Sequence, residues 1–179
     1  MRRAIVLAVL VVVLATSLAL VSAASAADRK VRLTVKEKSI VVLVNRERSK
    51  RGLKPLRIHV SLTRAARAHS RDMAARQYFS HVSRSGRTPA QRMKACGYSP
   101  TRCRRWSVGE NIAWATAGYA GARATVRAWM KSPAHRRIIL TRCFRDVGVG
   151  TARGALERNG ITLTEVTYYT LDVGRRVRL

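Results

Sequence analysis

Acidic residues are scarce in this 179-residue chain: nine Asp and Glu stand against 36 Lys and Arg, for a formal charge of +27. With only four His besides, few groups are able to do acid-base chemistry. Cysteine is scarcer still. Cys96, Cys103 and Cys143 are too few for a small disulfide framework, and no two have the C-x-x-C spacing of a zinc site or a redox pair. What is abundant is apolar, 47% of residues, which excludes a disordered chain. The length suits one domain of about 100 to 200 residues.

The first 27 residues read as a segment apart from the fold. Met1, Arg2 and Arg3 form a cationic start, an apolar run extends from Ala4 to Val21, and small residues close the segment at Ser22 to Ala27. This is the layout of a secretory signal peptide cleaved after Ala27; an uncleaved anchor is the rival, because the run nears the about 20 residues that span a bilayer. Cleavage removes only two basic residues, so the charge belongs to the exported part. An exported chain can keep disulfides. The expected pair is Cys103 with Cys143, which closes the longer loop; Cys96 as a partner, and three free thiols, stay open.

Residues 28–38 are charged and lack a period, and read as a linker before a domain over 39–179. From Ser39, taken as the N-cap, Ile40, Leu43, Val44 and Glu47 fall at helical spacing up to Gly52, with strand as the rival. Leu62, Ala65, Ala66, His69 and Met73 mark an amphipathic helix capped by Ser61. Thr88-Pro89 starts a short helix that Gly97 ends, and Ser132-Pro133 repeats the device after an Ala-rich helix over Tyr119 to Lys131. The period then changes to two. Val147, Val149 and Thr151 predict one strand, Ile161 to Tyr169 another, with a third at Ser107 to Ala115; Asn159-Gly160 fits a type I′ hairpin turn, with a longer loop as the rival because Gly154 to Arg158 are poor strand formers. Helices first and an antiparallel sheet later imply an α+β sandwich.

The informative polar residues are few. His81 follows two aromatics at a helix exit, Glu110 lies inside an apolar stretch and needs a partner if buried, and His135 sits in the first turn of a helix. The positive end of the helix dipole biases His135 toward neutral imidazole. His69 reads as a core or cleft-edge residue, His59 as a solvated loop residue, and Trp106, Trp114 and Trp129 as core.

Several short motifs occur in one order: Leu43-Val44-Asn45 with Glu47-Arg48, Ala65-Ala66 with His69-Ser70 and Asp72-Met73-Ala74, Tyr78 to His81, Gly109 to Ala113, Trp129 to His135, and Gly148-Val149-Gly150 with Tyr168-Tyr169. In these the chain resembles the CAP or SCP family (cysteine-rich secretory proteins, antigen 5 and pathogenesis-related 1), in particular its bacterial secreted branch. The resemblance implies a three-layer α-β-α sandwich with a central antiparallel sheet. It also implies a cleft in which two His and two Glu can bind a divalent cation. His81 matches the first His, Glu110 the first Glu and His135 the second His. Ser132 stands where the second Glu is expected, and Ile138 replaces the Asn of the bacterial motif.

Two function classes follow. The first is a secreted, non-catalytic binding module of the extracellular space or cell envelope, acting as a monomer through its cleft and its basic surface. The second is a hydrolase using Zn or another divalent cation held by His81, Glu110 and His135, with a fourth position for water. Arg supplies 29 of the 36 cations, with dense groups at Arg46 to Lys54, Arg102 to Arg105 and Arg136-Arg137. Such a surface attracts anionic wall polymers or lipid headgroups in a salt-dependent way, and nucleic acid only as a generic polyanion.

Overall fold

A computed structural model describes residues 31–179; the signal-peptide expectation and most of the linker lie outside them. In chain order the elements are α1 (Val35–Ser49), β1 (Arg57–Ile58), α2 (Val60–Ala75), α3 (Pro89–Ala95), β2 (Cys103–Ala115), α4 (Ala122–Lys131), α5 (Pro133–Leu140), β3 (Asp146–Arg158) and β4 (Ile161–Arg178). One four-stranded sheet runs in the order β1-β3-β4-β2. Strands β2, β3 and β4 are antiparallel as expected, but β1 joins β3 in parallel over two residue pairs, so the sheet is mixed.

Two layers of helix cover this sheet, giving the expected α+β sandwich. Helix α2 packs on β3 and β4 with α3 beside it, while α1, α4 and α5 contact one another on the other face. The sheet's period of two assigns each residue to a layer. A Cβ at Gly109 would meet Ile138 and Phe144, whereas one at Gly174 would meet Tyr98. Val147, Val149, Tyr169, Leu171 and Val173 therefore form one core with Ile40, Val44, Trp129 and Ile139. Beneath α2 and α3, Met73, Ile112, Leu156 and Tyr168 form a second core, and Leu62, Met93 and Tyr98 a third. Each large apolar side chain so buried contributes about 1.5 to 3 kcal/mol.

Glycine sets how closely α2 approaches the sheet. A Cβ at Gly148 would lie 2.1 Å from the Leu62 carbonyl carbon, and one at Gly150 would lie 2.3 Å from that of Ala66. Two strand residues advance about 6.6 Å and four helical residues about 6 Å, so the helix backbone tracks β3 glycine by glycine. The Gly148-Val149-Gly150 motif is thus a groove for α2, with Val149 turned to the opposite core.

Local signals explain the ends. Thr88 forms a capping box with Gln91 ahead of Pro89, and Gly97 takes a positive φ after α3, both as predicted. Asn159 and Gly160 both have positive φ, and Arg158 pairs Ile161, so the two-residue type I′ turn is present. Other boundaries differ. The N-cap of α1 is Thr34 rather than Ser39, because Thr34 and Glu37 close a capping box five residues earlier and the helix begins at Val35. Residues 35–38, read as linker, are thus helical, and the buried Glu37 bonds Arg67 of α2 at 2.8 and 2.6 Å.

The N-cap of α2 is His59, not Ser61: its Nδ1 accepts from the Ser61 N–H at 3.2 Å. Nor is His59 a solvated loop residue. Its ring stands edge-on to Tyr98 with centroids 4.9 Å apart, and Nε2 lies 2.8 Å from the Arg176 guanidinium. Burial first, then the Arg176 charge, lowers its pKa. Arg48, in the first basic group, is also fully buried, where it donates to the Lys54, Ile139, Thr141 and Phe144 carbonyls.

The expected Cys103–Cys143 disulfide is absent, and all three cysteines are free. The register explains it. Cys143 Sγ lies 4.0 Å from Ser107 Oγ, and Ser107 is four residues along β2 from Cys103, about 13 Å of strand. A disulfide requires Cα atoms within about 7 Å.

Candidate functional site

The edge strand β2 carries the site. Glu110 pairs Asp172 of β4, so both side chains stand on the face beneath α2 and α3. Its neighbour Asn111 points the other way, where its side-chain amide donates to the His135 carbonyl at 3.0 Å and anchors α5. His81 comes from the loop between α2 and α3, and His135 from α5. The two imidazoles thus reach the edge strand from opposite layers.

Glu110 is the centre of the cluster, with its side chain only 2% exposed. Its Oε1 accepts from His81 Nδ1 at 2.8 Å, and its Oε2 from Arg92 Nη2 at 2.5 Å. Burial pushes the Glu110 pKa up, but the His81 hydrogen bond and the Arg92 charge outweigh it and hold the carboxyl below its usual range. Arg92 does more than neutralise it. Its Nη1 donates to the His81 carbonyl at 2.8 Å, the Arg87 carbonyl at 2.9 Å and Ser83 Oγ at 3.1 Å, so one guanidinium ties the His81 loop to the sheet.

Asp172 is fully buried and shares Glu110's side of the sheet. Burial, then the Glu110 charge, pushes its pKa well above the ordinary carboxylate value. Burial and the neighbouring carboxylate both favour the protonated form of Asp172, whose Oδ1 is buried without a hydrogen-bond partner. His69 lies nearby on α2, with Nε2 2.9 Å from the Ser80 carbonyl and Nδ1 buried without a partner. Its pKa is lowered by burial, against the pull of Glu110. His135 is lowered by burial and then by His81, in the direction its helix position predicts.

The structure brings His81 and Glu110 into contact and sets His135 near enough for His81 to lower its pKa. Ser132 instead ends α4 and begins α5, and its hydroxyl makes no capping bond. Trp129 is core as expected, its indole N–H bonded to the Ile112 carbonyl at 3.1 Å.

Sequence reasoning missed Arg92 and Asp172. Arg92 is one of 29 arginines, and nothing in its neighbourhood marks it. Asp172 left a fainter signal, an acid between Leu171 and Val173 in a chain with nine acids, but period-two alternation reads it as facing solvent.

The donors do not fit a divalent cation. Among the described residues no group of three or more His, Cys, Asp and Glu is arranged to hold a metal ion. Both Glu110 oxygens are engaged, one of them by a guanidinium that already supplies the positive charge. The chemistry that remains is that of an oriented imidazole. In the neutral ring, donation of Nδ1–H to the carboxylate makes Nε2 an acceptor, on a side chain 49% exposed.

Residues 41–172 match the family model described as the cysteine-rich secretory protein family, CAP. The chain is 43% identical over 114 residues to the uncharacterized protein YkwD of Bacillus subtilis, a match covering 64% of this chain and 41% of that protein. It is 34% identical over 128 residues to the uncharacterized membrane protein YlbC of the same organism, covering 72% of this chain and 35% of that one. The chain thus spans well under half the length of either relative. Among solved structures, an extracellular SCP-domain protein of Bacillus anthracis superposes with a TM-score of 0.61 at 24% identity, covering 84% of this chain and 45% of that one. An outer surface protein of Borrelia burgdorferi gives 0.62 at 19%, covering 83% and 98%.

Proposed function

The chain belongs to the cysteine-rich secretory protein (CAP) family, and from that premise we propose that it is an exported, non-catalytic binding module that engages an anionic component of the cell envelope. The observation that carries this reading is the closed state of the Glu110 cluster. Its carboxylate is satisfied on both oxygens, and the adjacent acid is buried with its pKa raised. A catalytic centre needs a nucleophile beside a base, or a metal with an open position; beside Glu110 the exposed side chain is that of His81, while the unpartnered His69 Nδ1 and Asp172 Oδ1 are buried. Its internal hydrogen bonds hold the loop, the edge strand and α3 together.

Charge supports the ligand class. Few of the cations are matched by acids within the chain, and a surface of one sign attracts polyanions with a strong dependence on salt. Export rests on the layout of the first 27 residues, and it agrees with similarity to proteins described as extracellular or as lying on the outer surface.

Binding of the purified chain to cell-wall fragments and to anionic vesicles, at low and high salt, tests the proposal. Affinity is expected to collapse with added salt and to survive His81→Ala. The His81–Glu110 pair favours one second reading, a hydrolase in which His81 Nε2 activates water. Turnover lost on His81→Ala would establish that reading and overturn the first, and turnover further dependent on added Zn would restore the metal to the site.

A further inference from the structure

On the other face of the same two strands lies a second built feature. Strands β2 and β4 extend beyond α5, and there Arg104, Arg105, Trp106, Ser107, Cys143, Arg175 and Val177 line an open groove of about 540 Å³. The register explains why so many arginines meet. Cys103 pairs Arg178 and Arg105 pairs Val177, so β2 has one residue more than β4 at this point, and the extra residue is Arg104. Strand alternation alone would send Arg104 and Arg105 to opposite faces; a bulge re-aims the inserted side chain, and both line the groove. Arg175, opposite Ser107, completes the trio.

No acid lines this groove, and none of the three arginines is in an ion pair among the described residues. The acids lie elsewhere: Glu110, Asp146 and Asp172 on the α2–α3 side or buried, Glu37, Glu47 and Asp72 paired with other cations, and Glu157 and Glu165 in the hairpin arms at the far end of the sheet. Arg175's contact to the Cys143 carbonyl is long, at 3.4 Å. Three like charges in one concavity repel unless an anion joins them, and a concave surface of one sign focuses its field on such an ion. Guanidinium forks match tetrahedral oxyanions bidentately, and three forks call for more than one phosphoryl group.

We propose that this groove is a binding site for a multiply charged phosphate chain, held by Arg104, Arg105 and Arg175. This rests on the polyanion reading above and localises it to one groove. The exposed Cys143 thiol lies within the groove and reports its occupancy.

The experiment follows alkylation of each cysteine in the purified protein by iodoacetamide, a neutral reagent, resolved by peptide mass spectrometry. The probe is inorganic tripolyphosphate, with ionic strength fixed by sodium chloride. At ten times its dissociation constant, tripolyphosphate is expected to slow Cys143 labelling by about tenfold and to leave Cys96 unchanged. The triple variant Arg104→Ser, Arg105→Ser, Arg175→Ser is expected to lose that protection, while unaltered Cys96 labelling shows the fold intact. A second variant, Arg123→Ser, Arg127→Ser, Arg136→Ser, removes the same charge elsewhere and is expected to keep it. Equal loss in both variants overturns the groove and leaves generic polyanion adhesion standing. No protection in the wild type, with tripolyphosphate still bound, overturns the groove in the same way. No binding of tripolyphosphate or of wall fragments at low salt overturns both readings.

Discussion

Strands β2 and β4 carry charge on both faces, and the two faces treat it in opposite ways. Beneath α2 and α3, Glu110 has a partner for each oxygen, Arg92 donates to four acceptors, and burial favours the neutral form of Asp172. Beyond the end of α5, three arginines share a groove with no acid. The difference is one of solvent. A buried ion without a partner costs several kcal/mol, so the covered face is closed electrostatically. The open groove keeps its hydration, so its charge remains free for a partner outside the chain. Charge scarcity thus has a place in the fold: one of only nine acids is committed to neutralising a single arginine in the interior.

The contrast can be broken from either side, and the covered face should respond most. Arg92→Ala leaves Glu110 short of its cation and releases the His81 loop, and is expected to destabilise the fold by about 3 to 5 kcal/mol in urea denaturation. A loss below about 1 kcal/mol, the range of an exposed pair, would erase the distinction between the faces.

The acid pair gives a sharper test, because its two members titrate in opposite senses. Asp172 has a raised pKa in the fold, so its contribution is fully present below about pH 4 and is lost as pH rises through the folded value. Asp172→Asn is neutral at every pH and similar in size. Its melting temperature is expected to match the wild type near about pH 3.5 and to exceed it increasingly toward alkaline pH, by about 2 to 4 °C per kcal/mol regained. Glu110 runs the other way: its lowered pKa contributes stability above about pH 4.3 that is lost as pH falls through its folded value. A pH-independent Asp172→Asn difference would mean that the pair shares no proton. The smallest effect belongs to the open groove. Arg105→Ser is expected to move stability by no more than about 0.5 kcal/mol while weakening tripolyphosphate protection of Cys143.

Much of the scaffold was legible from local rules. The Thr88-Pro89 start, the Gly97 stop, the Asn159-Gly160 turn and the apolar stripe of α2 each depend on residues within a turn or two of one another, and each is present. The errors also have local causes. Ser39 and Ser61 are chemically sound N-caps, but Thr34 and His59 stand earlier in the chain and have already closed their helices. His81 and Glu110 were readable as candidates because each is an odd residue in its surroundings. Their mutual contact was not, because it joins positions 29 residues apart.

What the amino-acid sequence determined alone is the character of this protein: an apolar chain with periods that switch from helix to strand, a large excess of arginine, and an N-terminal segment with the layout of an export signal. These properties need only composition and near neighbours. What the tertiary structure decided is the fate of individual charges. Arg48 and Arg92 are interior and Arg105 is outside, the pKa of Asp172 is raised and that of Glu110 lowered, and Arg104 turns into the groove because β2 has one residue too many against β4. Desolvation and Coulomb energy depend on which groups the fold brings within a few ångströms, and that distance is set by strand register and helix docking rather than by spacing along the chain.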